Sequence, residues 1–353
     1  MRRLSLFNAF LLCLLIACQK GPDLPEPYLL VEPAEVIKMQ IPEDNPLTKE
    51  GIALGRKLFY DPILSLDSTQ SCATCHQQHL AFTDGLAHSL GVLGEAGERS
   101  SISLVNVGYR YKGLFWDGRV QTLEEQSLHP VRNSKELAAN WQIIEKRIQS
   151  NAAYVVDFKA AFLINRVNDI DSFLVAKALA QFERTITGFD AKFDRVQRGA
   201  ESFTASEKRG WTIFFDASLD VPHAECNHCH VDPLFTNLEF HNNGIQAVDG
   251  LEDFQDKGRG AHTSNRYDNG KFRVSTLRNI TLTAPYMHDG SIKTLAEVLD
   301  HYNSGGHFAE NVSPNVRQLA LNDVDKADLL AFLNTLTDST LLNNPNLSNP
   351  FLQ

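Results

Sequence analysis

Apolar positions along this chain recur mostly at helical spacing, and strand-like alternation is sparse. Between Phe173 and Phe182, residues Val175, Ala178, Leu179 and Phe182 fall on one helical face. Between Asp325 and Leu336, residues Leu329, Leu330, Phe332, Leu333 and Leu336 do the same. Helix starts are marked by Thr122 with Glu125, Thr204 with Glu207 and Thr294 with Glu297. At this spacing each side chain can satisfy the other residue's free backbone N–H. Gly- and Asn-containing stretches, notably Asp84 to Ser103 and Phe235 to Lys271, run between the helical segments. Long loops of this kind are uncommon in compact domains and are often functional. The pattern predicts a mainly α protein with long loops.

The N-terminus reads differently. Leu4 to Ala17 is an almost uninterrupted apolar run behind Arg2 and Arg3, too short to span a bilayer comfortably. It ends at Leu15-Ile16-Ala17-Cys18, and residues 1–17 are read as a secretory signal. Small residues before a cysteine resemble the bacterial lipobox, in which Cys18 is acylated and becomes the new N-terminus. The alternative is ordinary cleavage nearby, with Cys18 lost or left as a spare thiol. Residues 18–45, polar and proline-containing at first, are then expected to form a tether. The expected location is periplasmic, with a lipid anchor at Cys18.

Two of the six cysteines, Cys13 and Cys18, belong to that segment. The other four form Cys72-Ala73-Thr74-Cys75-His76 and Cys226-Asn227-His228-Cys229-His230. Each is C-x-x-C-H, the attachment pattern of c-type haem. Two thiols a helical turn apart can add to the two vinyl groups of one porphyrin, and the following imidazole becomes the proximal ligand. Four cysteines could instead hold one zinc, but zinc-binding pairs usually lie closer in sequence and need no histidine after each pair. Redox disulfides are the other alternative, yet neither pair follows an apolar strand. The wide separation of the motifs suggests two cytochrome-c-like haem domains, 46–200 and 201–340, divided near residues 195 to 205 and followed by a tail, 341–353. The chain has 353 residues, room enough for both.

Charge narrows the partners. The formal net charge is −10, and loss of Arg2 and Arg3 with the signal makes it two units more negative. Nucleic acid and anionic membrane surfaces are poor partners for such a chain, whereas a small basic electron carrier is attracted.

Further landmarks are Leu58-Phe59-Tyr60-Asp61-Pro62, Phe82-Thr83-Asp84-Gly85 and Phe115-Trp116-Asp117-Gly118-Arg119. Gln181-Phe182-Glu183-Arg184-Thr185, Leu277-Arg278-Asn279, Thr283-Ala284-Pro285-Tyr286-Met287-His288-Asp289-Gly290 and Leu330 to Thr337 follow. From about Gly51 to Thr337 the chain resembles the bacterial di-haem cytochrome c peroxidases, which include the MauG-type enzymes. The resemblance implies a peroxide-reducing haem at His76 and an electron-entry haem at His230, with Trp116 between them. It implies a distal acid at Glu136, since peroxide cleavage needs a group that moves a proton from one oxygen to the other. A small cytochrome c or cupredoxin donor and a homodimer are also implied. So is a calcium held partly by backbone carbonyls at Thr283 and Pro285, although the usual Asn ligand is replaced here by Ser100.

Two positions depart from the better-known peroxidases. Where those place a methionine ligand on the second haem, this chain has Tyr302, which resembles the MauG-type arrangement; Met287, inside the motif, is a rival ligand. A phenolate favours ferric iron and lowers the haem potential. Where those place a blocking histidine over the first haem, this chain has Val92, so an open site is expected, with His88 the one nearby residue that a loop shift could bring in. The leading expectation is a peroxidase. The alternatives are a MauG-like oxidase acting on a partner protein and a non-catalytic dihaem electron-transfer or sensor protein.

Overall fold

A computed structural model describes residues 24–352. The signal, Cys13, Cys18 and the start of the tether lie outside the described residues. Among the described residues no helix is long and apolar enough to cross a membrane.

The helices in chain order are α1 (Lys49–Tyr60), α2 (Cys72–Cys75), α3 (Leu123–Arg132), α4 (Trp141–Gln149), α5 (Ala152–Phe162), α6 (Ser172–Glu183), α7 (Lys192–Gln197), α8 (Ala205–Phe214), α9 (Gly260–Thr263), α10 (Leu295–Ser304), α11 (Asp323–Asn334) and α12 (Ser339–Leu342). One short antiparallel pair, β1 (Phe240–His241) with β2 (Phe272–Arg273), matches Phe240 to Arg273 and His241 to Phe272. The three expected starts cap α3, α8 and α10, with Thr122, Thr204 and Thr294 accepting from the N–H three residues on. Glu207 and Glu297 return the bond to their threonines, while Glu125 reaches back to the Gln121 N–H instead.

Two helix pairs organise the molecule, and they are built alike. In the first, α1 lies along α6, burying Leu54, Leu58 and Phe59 against Val175, Leu179 and Phe182. The helices meet at Gly55, where an added Cβ would overlap the Ala178 carbonyl and press on the Phe182 side chain. In the second, α8 lies along α11, burying Ile213 and Phe214 against Leu329, Phe332 and Leu333. Gly210 plays the same part there, facing the Asp328 carbonyl and Phe332. The first helix of each pair precedes a C-x-x-C-H, and the second follows it.

Three segments differ from the sequence expectation. The tether is packed from about Val36 onward. Val36 and Met39 are buried with Tyr109, and Asn45 bonds Glu124 and Gln181. Apolar residues set among the prolines give that stretch something to bury. The second core begins at Phe193, slightly ahead of the expected boundary. The tail returns to the first core, where Leu341 and Leu347 are buried. Its carbonyls accept from Gln78 and Arg56.

A buried polar tie in the second half is Arg278 with Asp194, two parallel bonds of 2.9 and 2.7 Å between groups that are 1% and 7% exposed. An uncompensated charge at such depth costs about 3–5 kcal/mol, so each member depends on the other. Between the halves, Arg99 grips Asp256 at 2.7 and 2.8 Å and Asp117 at 2.6 Å. Asp117 also receives Arg119 and His262. These ties fix the segment that carries Trp116.

Candidate functional site

Each C-x-x-C-H forms one helical turn. Cys72 to Cys75 is α2, and the His76 N–H continues the turn to the Cys72 carbonyl at 3.0 Å. Cys226 to His228 is a tighter turn, closed by the His230 N–H on the Cys226 carbonyl at 2.9 Å. None of these four cysteines is paired in a disulfide.

Both histidines are oriented in the same way. His76 Nδ1 donates to the Phe82 carbonyl at 2.9 Å, and His230 Nδ1 donates to the Phe235 carbonyl at 3.1 Å. A carbonyl can only accept, so the proton sits on Nδ1 and the Nε2 lone pair stays available to a metal. Phe82 and Phe235 both have left-handed backbones, with φ of 60° and 52°. Such a conformation is costly for a bulky residue and persists where the surroundings enforce it. Burial lowers the pKa of His76 and pushes His230 down to about 4. Both rings are therefore neutral at physiological pH, as metal ligands must be.

The first cavity holds about 630 Å³ including its open mouth. Cys72, Cys75 and His76 line it together with Gln126, Pro130, Glu136 and Glu183. Glu136 lies in the turn after α3. Its Oε1 accepts from Asn133 Nδ2 at 2.7 Å, and its carbonyl accepts from the Val92 N–H at 2.8 Å. Burial raises the Glu136 pKa against the pull of Asn133 and Arg119. Val92 thus runs beside the acid, whereas His88 is close to His288. Burial chiefly, with Arg99 and His88 adding, pushes His288 down to about 4.

The second cavity is larger, about 1340 Å³ including its mouth, and mostly apolar. Cys226, Cys229, His230, Trp116, Met287 and Tyr302 face it. Asn243 Nδ2 donates to Tyr302 Oη at 3.3 Å and lies 3.2 Å from Met287 Sδ, so both expected donors converge on one amide. Burial pushes the Tyr302 hydroxyl up to about 12. A ferric ion in reach would reverse that, because a metal cation favours the deprotonated ligand. In both cavities a turn with two thiols, an imidazole with a free Nε2 and an enclosed apolar space stand together. The residues fit two covalently attached haems.

Trp116 lines the second cavity. Its Nε1 donates to the Ser100 carbonyl at 2.8 Å, and its ring meets His288 edge-on with centroids 6.5 Å apart. The Arg273 N–H holds the Trp116 carbonyl at 2.8 Å. The Ser100 hydroxyl, expected near a calcium, donates to the Met287 carbonyl at 2.9 Å, and the Thr283 hydroxyl donates to Ile280 at 3.2 Å. Sequence reasoning missed Phe82, Phe235 and Asn243. The first two act through backbone carbonyls, which leave no side-chain signature. Asn243 is one asparagine in an asparagine-rich loop.

The chain is similar to known proteins. The family described as di-haem cytochrome c peroxidase matches residues 49–202. The methylamine utilization protein MauG of Methylorubrum extorquens is 35% identical over 301 residues, 84% of this chain and 80% of that protein. The cytochrome-c peroxidase IdrP1 of Denitromonas iodatirespirans is 32% identical over 325 residues, 84% of each chain. Among solved structures, a MauG-like protein associated with microbial copper homeostasis aligns with a TM-score of 0.84 at 35% identity, over 92% of this chain and 99% of that one.

Proposed function

This chain belongs to the di-haem cytochrome c peroxidase family that includes MauG, and from that membership we propose that it reduces hydrogen peroxide to water using electrons from a small redox protein. The observation that carries the reading is Glu136 in the same small cavity as a neutral His76 whose Nε2 is left free. Membership implies two c-type haems, which supply the redox chemistry when bound. Cys72, Cys75 and His76 would hold the first, in a domain of about 46–200. Cys226, Cys229 and His230 would hold the second, in a domain of about 201–340.

Glu136 takes a proton from one peroxide oxygen and returns it to the other, which departs as water. Asn133 keeps the carboxylate aimed while leaving Oε2 free for that exchange. Trp116, fixed by Ser100 and Arg273, is placed to pass electrons from the second site to the first. At the second site His230 and Tyr302 would hold the haem iron, with Asn243 steadying the phenol. The acidic chain suits a basic cytochrome or cupredoxin donor. In this reading residues 1–17 act as an export signal, and the protein works in the periplasm, anchored through Cys18.

A second reading, a MauG-like oxidase drawing electrons from residues of a partner protein, is favoured by Tyr302 specifically. A steady-state assay with a reduced basic cytochrome tests the first reading. Peroxide should disappear with two donors oxidised for each peroxide consumed. Donor that stays reduced while peroxide persists would remove the peroxidase reading.

A further inference from the structure

Glu183 closes α6 and is 6% exposed. Its side chain lines the cavity of His76 and Glu136, and its Oε2 is enclosed with no hydrogen-bond partner among the described residues. The adjoining Arg184 turns away to Glu124 of α3, at 2.7 and 3.0 Å. Cations on α1 and α6 are engaged elsewhere. On α1, Arg56 is held by Pro345 and Asn346 and Lys57 by Asp157; on α6 itself, Lys177 bonds Asp44. Burial, with Glu124 adding and Arg184 opposing, pushes Glu183 up to about 8. At neutral pH it therefore keeps its proton. Beyond the effect of burial, both Glu183 and Glu136 raise the Cys72 thiol, so the two carboxyls flank the same attachment cysteine. An apolar residue at this position would avoid the cost of a buried unpartnered oxygen, and the chain has a carboxyl there instead.

We propose that Glu183 is the proton reservoir of the first cavity, passing two protons, one at a time, through Glu136 in each turnover and recovering each from solvent. The proposal rests on the peroxidase reading. Reduction of one peroxide consumes two protons and two electrons and yields two waters. Breaking the O–O bond releases the first water with the peroxide's own two protons, which Glu136 has shuttled. The second oxygen needs two further protons and the donor's two electrons before it too leaves as water. Glu183 supplies those protons one at a time. It is a positioning residue for protons and does not itself touch peroxide.

The test compares wild-type holoprotein with Glu183→Gln and Glu183→Asp, by infrared spectroscopy and by peroxide turnover across pH. Wild type should show a protonated-carboxyl band at neutral pH that fades as pH rises through about 8. The Gln variant should lack that band. Its turnover should fall on the order of tenfold, less than for a direct proton-transfer group, with KM for the donor unchanged. Because only protonated Glu183 can give a proton, wild-type turnover should decline through the same alkaline range. That limb should flatten in Glu183→Gln and partly return in Glu183→Asp. A wild type without the band, or a Gln variant with unchanged turnover and alkaline limb, would overturn the proposal. The infrared result on wild type holds even if the Gln variant fails to fold. If wild type consumes no peroxide, the peroxidase reading fails and takes the reservoir with it. If Glu136→Gln stops turnover while Glu183→Gln does not slow it, only the reservoir fails.

Discussion

Glu136→Gln should lower peroxide turnover by about two to four orders of magnitude, the range expected for a positioned acid–base group, with both haems still attached. The substitution is a narrow one. Gln keeps the length of the side chain and an oxygen to accept the Asn133 amide, so the turn from Asn133 to Ala138 should hold. What is lost is a group that can both take and return a proton. The pH dependence follows from the raised pKa of Glu136, which burial sets against Asn133 and Arg119. The group acts first as a base and must begin ionised. Wild-type turnover should therefore fall on acidification at a pH above the ordinary carboxylate range, and the variant should show no such limb. Turnover within a few-fold of wild type, with the acid limb intact, would remove Glu136 from the reaction.

Tyr302→Met should raise the reduction potential of the second haem by on the order of 0.1 V or more, within the roughly 0.8 V range that axial ligands span. Replacing an anionic phenolate by a neutral thioether removes the stabilisation of ferric iron. The site is prepared for either donor, since Asn243 Nδ2 lies 3.3 Å from Tyr302 Oη and 3.2 Å from Met287 Sδ. A Met287→Leu control separates them and should leave the potential near its wild-type value. A redox titration showing no shift in Tyr302→Met, with a large shift in Met287→Leu, would make Met287 the ligand.

Local signals in the chain were legible, and the long-range ones were not. The apolar stripe read from Phe173 to Phe182 lies within α6, and the capping threonines at 122, 204 and 294 sit where helices begin. Both C-x-x-C-H motifs declare their chemistry because two thiols and an imidazole need that spacing. Glu183 shows the limit. Neighbouring helical positions point about 100° apart, so in Glu183-Arg184 one charge can turn inward and the other outward. Only the packing of α3 against α6 decides which. The return of Leu341 and Leu347 to the first core is another case, since nothing in a short polar tail names its distant partner. The left-handed carbonyls of Phe82 and Phe235 are a third. Phenylalanine rarely adopts that conformation, and the sequence offers no glycine to mark it.

An open first site is expected, since the Val92 N–H bonds the Glu136 carbonyl while His88 sits near His288. Mixing the resting, fully oxidised holoprotein with hydrogen peroxide in a stopped-flow instrument tests it directly through the Soret band. A fast shift without any added reductant is the expected result. A band that stays fixed until one haem has been reduced would contradict it, and would mean that a histidine, His88 first among them, covers the iron.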